Sequence, residues 1–342
     1  MHSGNGDLVI LKGQEVSEIL DGRELELTAV VRKAYETHAG GDVSLPNSTF
    51  LRFPSDQKNR IIALPAYLGQ DFGVAGIKWV SSFPDNIRQR LDRASAVVIL
   101  NSTRTGRPEA IIEGSIISAK RTAASAALAA QNLANGFSTA GFIGCGVINF
   151  EIARFLLASC PEVESFLAYD LDEARARQFS EKCRRAFGGI EIEIAKDIRE
   201  VLKRSPLVSL ATTATVPHIF DLADCAPQST LLHVSLRDLT PEVILSCDNI
   251  VDDVDHVCRA NTSIHLAEQL TGNRSFIRCT LADILLQKAP ARRDDESVAV
   301  FSPFGLGILD LAVAKLVLEQ GLKQRMGTVL PAFLPDSWLE RC

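Results

Sequence analysis

The run Ser138-Thr139-Ala140-Gly141-Phe142-Ile143-Gly144-Cys145-Gly146-Val147-Ile148-Asn149 constrains this chain more than any other. A short apolar stretch ends in a tight Gly-x-Gly turn, and helical periodicity follows from Ile148 to about Ala158. The order predicts a strand, a turn and a helix start. Gly144 lets the chain bend sharply, and Gly146 lets a pyrophosphate approach the backbone. The helix N-terminus then offers free N–H groups and the positive end of its dipole. Asn149 stands where the third glycine of a dinucleotide fingerprint would be. An ordinary strand–helix turn fits the same pattern, so a second signal has to decide. Phe166-Leu167-Ala168-Tyr169 reads as the next strand, and Asp170 closes it 24 residues after Gly146. That is near the ~20-residue offset at which a carboxylate takes the ribose hydroxyls. An acid there favours NAD over NADP, because a 2'-phosphate would face negative charge. Asp170 also suits a helix N-cap, a role that Asp172 fills as well. With both halves present, the reading is dinucleotide binding.

From Thr139 onward, strands and helices alternate. Candidate strands are 141–144, 166–169, 190–194, 207–211, 231–234 and 249–251, with a last one at 297–301. Candidate helices cover 172–187, 241–246, 262–270 and about 308–320, and 289–296 reads as a charged loop. This is the doubly wound α/β pattern. The first ~110 residues read differently. Helical periodicity over 15–38 breaks near Asp21-Gly22 and ends at Gly40-Gly41. Strands follow at 48–53, 60–64, 74–80, 96–100 and 109–112, with a hairpin-type connection over 101–108. These predict a mixed or antiparallel sheet with a helix pair. An alanine-rich helix over 115–134 leads into the fingerprint strand. The 342 residues suffice for two domains with one core each.

The net charge of −6 argues against a nucleic-acid surface. No apolar run reaches the ~18 residues of a membrane span. Residues 1–7 carry neither a basic start nor an apolar core, so they do not read as a signal peptide. Eight cysteines without a C-x-x-C pair fit a reducing cytoplasm and no structural zinc. The expectation is a cytoplasmic protein without metal, nucleic-acid partner or membrane. Cys145 reads as a small packing residue of the turn.

Several polar residues are candidates for chemistry. Lys78 interrupts an apolar strand and either snorkels to solvent, the commoner case, or points into a cleft. Arg52 and Arg121 read as surface salt bridges or as ligand cations. Asp238 follows a core strand, on the edge where doubly wound sheets bind ligands. It could instead cap the helix at Pro241, although Thr240 is better placed for that. His233, inside a strand, reads as packing. Asp252, Asp253, Asp255 and His256 read as helix-capping acids at a strand end, not as a metal site.

Four stretches then carry a resemblance over the whole chain: Gly76-Ile77-Lys78-Trp79-Val80, Ala119-Lys120-Arg121-Thr122-Ala123-Ala124-Ser125, the glycine turn, and Phe301 through Asp310. The chain resembles the ornithine cyclodeaminase/mu-crystallin family. Its likeness to an amino-acid dehydrogenase branch of that family is dense over Arg60–Pro65, Arg93–Asn101 and Arg293–Glu296. The resemblance implies a Rossmann-type doubly wound NAD domain over 131–305. It also implies an N-terminal mixed α+β substrate-binding and dimerisation domain, residues 1–130, completed by C-terminal helices within 306–342. A homodimer through the N-terminal sheet and a small amino-acid substrate are part of the same implication. Carried over by position, Arg52, Lys78 and Arg121 would hold substrate carboxylates, with Phe304 also among the substrate contacts. Arg93, Arg121, Gly144, Gly146, Val147, Ile148, Asp170, Thr212, His233, Ser235, Pro303, Phe304 and Gly305 would line NAD. Asp238 would be the carboxylate near the reacting carbon and the base that activates water, with Lys78 as the competitor.

Cyclodeaminases follow the matching aspartate with Pro-Gly-Lys, whereas here Asp238-Leu239-Thr240-Pro241-Glu242 carries no lysine. That suits the dehydrogenase branch. The implied reaction is NAD-dependent oxidative hydrolysis of N-(2-amino-2-carboxyethyl)-L-glutamate to 2-oxoglutarate and 2,3-diaminopropionate, a product that feeds siderophores or peptide antibiotics. Its rivals are a cyclodeaminase-type lyase without net NADH, a ketimine or amino-acid reductase, and a non-enzymatic binding protein.

Overall fold

The computed structural model describes residues 6–294 and 296–338. The first five residues of the leader reading, Asp295 of the Arg293–Glu296 stretch, and Cys342 lie outside the described residues. The chain divides into two compact units. One runs from Thr122 to Gly305, and the other combines the residues up to Arg121 with those from Leu306 onward.

Among its described residues, the continuous unit is built on eight strands. Their order is Glu191–Ile194, Ser165–Tyr169, Thr139–Ile143, Leu207–Leu210, Thr230–His233, Ala299–Ser302, Asp248–Val251 and Ile277–Thr280. Every pairing is parallel. Parallel sheets are covered on both faces, so their strands read as apolar runs rather than alternating ones. Leu207–Leu210 and Ala299–Ser302 are buried at every position. Phe142 and Phe166 meet edge to face in this core, with centroids 5.0 Å apart. The first five strands follow the 3-2-1-4-5 order of a dinucleotide fold, which leaves a switch point beside the glycine turn. Short polar side chains start the helices as expected. Asp172 accepts from Ala174 N at 3.0 Å, Thr262 from His265 N at 3.0 Å, and Thr240 from Val243 N at 3.4 Å.

The second unit is a largely antiparallel sheet. Its strands run in the order Thr328–Leu330, Leu8–Leu11, Pro108–Glu113, Ala94–Asn101, Val74–Ser82, Asp56–Leu68 and Val43–Ser44, and Thr49–Phe53 also pairs with Asp56–Leu68. Helices Gly13–Leu20, Glu24–Ala39 and Gly307–Gln324 belong to the same unit. Gly307 seats the start of the last helix closely, since a Cβ there would lie 3.1 Å from Leu64 O. The strands alternate. Lys78 is buried on one face, whereas Trp79 and Leu51 on the other are 38% and 43% exposed.

Differences from the sequence reading fall on short or edge elements. Val43–Ser44, Ile277–Thr280, Thr328–Leu330 and the helix Ile198–Arg204 were not anticipated, because so few residues carry no measurable period. The chain's return to the first unit is one helix plus the strand Thr328–Leu330, rather than helices alone, among the described residues. That strand pairs antiparallel with Leu8–Leu11 and covers a sheet edge. The charged loop 289–296 is tied down by arginines. Arg278 donates to Pro290 O and Ala291 O, and Arg292 to Leu133 O and Ser297 O. No described helix is long and apolar enough to cross a membrane, and the seven described cysteines are free thiols.

Candidate active site

In the continuous unit the glycine turn is tightly specified. Gly144 has φ +90°, and a Cβ there would lie 2.6 Å from Ala211 O. Gly146 is different. Its φ is −98°, and a Cβ would meet no protein atom within 4 Å. It also precedes the helix Val147–Ser159 without offering a capping side chain. The first-turn N–H groups of that helix therefore suit a phosphate. Asn149 does the tying that helix–strand packing needs. It is fully buried, donates to Gly144 O at 2.7 Å and Ile143 O at 3.1 Å, and accepts from Ser209 Oγ at 2.7 Å. Asp170 stands opposite the turn and accepts from Cys145 N at 2.8 Å and Asp172 N at 3.0 Å. A carboxylate has about four acceptor sites, so these two bonds leave capacity for ribose hydroxyls. Val147 and Leu171, exposed to 60% and 92%, flank the turn with apolar surface that a nucleotide would cover. The donor set fits a dinucleotide. Cys145 is a packing residue, and burial followed by the Asp170 charge pushes its thiol up to about 12.

Asp238 is fully buried at the edge of the same sheet. Thr212 and Ser235 donate their hydroxyls to its two carboxylate oxygens. His233 Nε2 lies 3.3 Å from Oδ2 and 3.2 Å from the Asp238 backbone N. On its other side, His233 Nδ1 lies 3.2 Å from Ser302 Oγ. His233 is thus buried as expected of a packing residue, but it also holds Asp238. Burial alone would raise the Asp238 pKa. Its contacts with His233, Ser235 and Thr212 outweigh that and hold it near 2. Leu236, two residues before, has φ +68°, a conformation costing roughly 1–3 kcal/mol for a side-chain-bearing residue. Its carbonyl accepts from Ser263 N at 2.7 Å, which holds the strained turn in place.

The Pro303-Phe304-Gly305 turn leaves the sheet on the same edge. Asp252 accepts from Phe304 N at 2.9 Å and from Gly305 N at 2.7 Å. Burial raises the Asp252 pKa. Asp253 caps a short helix through Asp255 N and His256 N. The acidic cluster therefore ties a turn and caps a helix, and no described group of residues forms a metal-ligating set.

The discontinuous unit holds a separate buried cluster. Lys78 Nζ donates to Asp310 Oδ2 at 2.8 Å and to Ser118 Oγ at 3.2 Å. Arg121 Nε donates to Asp310 Oδ1 at 3.1 Å. The side chains of Lys78, Arg121 and Asp310 are 3%, 9% and 0% exposed, so the solvated readings of Lys78 and Arg121 do not hold. Two cations share one anion. Burial lowers the Lys78 pKa, Asp310 raises it, and Arg121 lowers it further, to about 8.

Arg52 is not part of this cluster. Cross-strand register places it opposite Arg60, which faces Ser82, four residues beyond Lys78 on the same sheet face. Strand rise and spacing then separate the Arg52 and Lys78 Cα atoms by roughly 16 Å. The exposed Arg52 guanidinium lies 5.5 Å from the Phe50 ring centroid. Arg93 is half-buried, and its Nε finds no hydrogen-bond partner among the described residues. Sequence reasoning missed Asp310 as a functional candidate. Its signal was an acid inside the apolar helical run Gly307–Ala314. It also missed His218, whose Nε2 is 3.9 Å from Asp238 Oδ1.

The family profile described as ornithine cyclodeaminase/mu-crystallin matches residues 9–325. The chain belongs to this family. One family relative is N-((2S)-2-amino-2-carboxyethyl)-L-glutamate dehydrogenase of Staphylococcus aureus, 28% identical, with 95% of this chain and 99% of the relative covered. Among solved structures, a Thermococcus litoralis Δ1-pyrroline-2-carboxylate reductase in complex with NADH and L-proline superposes with a TM-score of 0.87. It is 26% identical, with 94% of this chain and 99% of that one covered. An archaeal alanine dehydrogenase dimer with bound NAD superposes at 0.84, also 26% identical, over 95% and 99%. The α/β architecture read from the sequence is thus shared with NAD-binding members of the family.

Proposed function

We propose that this protein catalyses NAD-dependent oxidative hydrolysis of a secondary amine between two amino acids, with N-(2-amino-2-carboxyethyl)-L-glutamate as the substrate. The cofactor is NAD, and the activity is an oxidoreduction of an amino-acid substrate. The observation that carries the substrate class is the buried cluster Lys78–Asp310–Arg121, which keeps a net positive charge away from water while Lys78 is protonated. Desolvated cations of this kind take carboxylates strongly, and an arginine fork fixes their orientation. The similarity to the Staphylococcus aureus dehydrogenase supports the particular amine.

Bound NAD would supply the acceptor for the hydride on the glutamate α-carbon. The chain's own residues do the rest. Arg121 holds a substrate carboxylate. Lys78, with its pKa lowered to about 8, takes the proton from the substrate nitrogen. Asp238, ionised at rest, accepts a hydrogen bond from the attacking water, orients it and takes its proton as the water adds. Asp170, Gly144 and Gly146 hold the dinucleotide. Apolar Leu51 and Trp79 on the outer sheet face support a homodimer through that sheet.

The decisive assay mixes protein, NAD and the secondary amine, with L-ornithine, L-alanine and L-proline in parallel. NADH and 2-oxoglutarate in equal amounts support the reading. Ammonia and proline from ornithine without net NADH make the protein a cyclodeaminase. Turnover confined to ketimine reduction with NADH makes it a reductase.

Two further outcomes are expected. Because neutral Lys78 is the active form, kcat/KM should rise with pH through about 8 and then level off. Lys78→Arg keeps the cation but cannot exchange the proton, so it should lower kcat about 100-fold and remove that limb. Asp170→Ser should raise the KM for NAD at least about tenfold while narrowing the preference over NADP. An unchanged cofactor ratio would remove Asp170 from ribose recognition.

A further inference from the structure

We propose that His218 is a proton-relay residue, passing the proton that Asp238 takes from the attacking water out to solvent. This rests on the hydrolytic reading above and adds the exit step that it lacks. The overall balance requires an exit. A protonated secondary amine, oxidised NAD and water give a ketone, a primary ammonium, NADH and one proton. Hydride leaves the carbon, the C–N bond breaks, a C=O bond forms from water, and the leaving nitrogen keeps three hydrogens. One proton per turnover must therefore reach bulk water, and the proton drawn from the attacking water starts on Asp238, a carboxylate that is itself fully buried.

Asp238 lies between two imidazoles. His233 is fully buried and engaged at both ring nitrogens, so it has no route outward. His218 is different, because its side chain is 35% exposed and its Nε2 lies 3.9 Å from Asp238 Oδ1. A small ring rotation or one bridging water closes that separation. The backbone fixes the approach, since His218 N and Ile219 N both donate to Asp238 O at 2.9 Å. A parallel bridge between Ile219 and Leu239 continues the contact. On the inner side, Thr212 presents its hydroxyl to the same Oδ1 and accepts from Ala214 N at 3.1 Å. The segment from Thr212 to Ile219 is thus laced to Asp238 at both ends, with His218 at its solvent side. Asp238 is also a poor proton store, with a pKa held near 2, so a proton taken up there moves on readily. A nearby imidazole is the side chain best suited to receive it at neutral pH.

The test compares wild type, His218→Ala and His218→Gln, each saturated with NAD. NADH absorbance is followed together with proton release to an indicator dye in weak buffer. The secondary amine is one substrate and L-alanine a second, because oxidised alanine needs the same water step. The expected result is a fall in kcat of about 10- to 100-fold in both variants. The KM for NAD should stay within about twofold, and free imidazole should restore His218→Ala saturably. Proton release should lag NADH formation in the variants and coincide with it in the wild type. Undiminished kcat, or a loss that imidazole does not restore, overturns the relay. Wild-type turnover of alanine but not of the secondary amine removes the substrate assignment, and the imidazole result then still decides His218. Failure with both substrates overturns the relay along with the hydrolytic reading.

Discussion

Asp310→Asn is expected to lose about 100-fold or more in kcat/KM and to melt well below the wild type. The wild-type carboxylate is fully buried and takes one hydrogen bond from each of two cations. The amide keeps the shape and removes the charge, which leaves Lys78 and Arg121 facing each other in a dry interior. Stripping the counter-ion from a buried pair costs roughly 3–5 kcal/mol. A domain's whole stability is about 5–15 kcal/mol. The protein has one means of relief. Asp310 raises the Lys78 pKa, so its loss lets Lys78 shed its proton at lower pH. The rising limb of kcat/KM should therefore move below about 8 in whatever activity remains, while overall stability falls. Calorimetry and a pH–rate profile read both effects. A limb that stays in place with an unchanged melting temperature would dissolve the cluster as a functional unit.

The glycine pair should separate folding from cofactor binding. Gly144→Ala is expected to destabilise the continuous unit and abolish measurable NAD binding. Its Cβ would lie 2.6 Å from Ala211 O and 3.2 Å from Thr212 Cα, at φ +90°. Backbone has to move, and Thr212 is one of the two hydroxyl donors to Asp238. The expected cost is about 1–3 kcal/mol for the backbone conformation alone, before the clash is counted. Gly146→Ala should leave the melting temperature within about 2 °C of wild type, since the new methyl meets no protein atom within 4 Å. It should still weaken NAD binding about 100-fold, because that methyl occupies the approach of the pyrophosphate. Titration of NAD by fluorescence, beside calorimetry of the free proteins, distinguishes the two. Equal effects of the two substitutions on stability would remove the distinction drawn between them.

The glycine turn and Asp170 were legible because local chemistry demands them at fixed spacing. The parallel sheet was legible because its strands are apolar runs separated by helices. Lys78 was visible as an anomaly, but its environment was not. Asp310 lies 232 residues away in sequence, and no local pattern links the two. Arg52 suited the sequence reading of a ligand cation, but register sets it well apart from Lys78 along the sheet face. Asn149 looked like a lapse in the glycine fingerprint. Its amide instead links the turn to Ser209 on the neighbouring strand, a use of the position that no count of glycines reveals. His218 was missed because its significance depends on its backbone N–H bond to Asp238 O and on the neighbouring Ile219–Leu239 bridge, which only the folded chain forms.

The strand Leu8–Leu11 pairs on one side with Pro108–Glu113 and on the other with Thr328–Leu330. One sheet thus gathers both extremities of the described chain, and the intervening unit is contiguous. On a ribosome, the unit from Thr122 to Gly305 is complete while its partner still lacks its long helix and outermost strand. Lys78 and Arg121 emerge early and remain hydrated cations until Asp310 is synthesised. Closing the charged cluster is then a late event of high sequence separation, which makes it slow relative to the local helices. The earliest translated segment is among the last to settle, and a stalled or truncated chain would leave an open sheet edge for chaperones to shield.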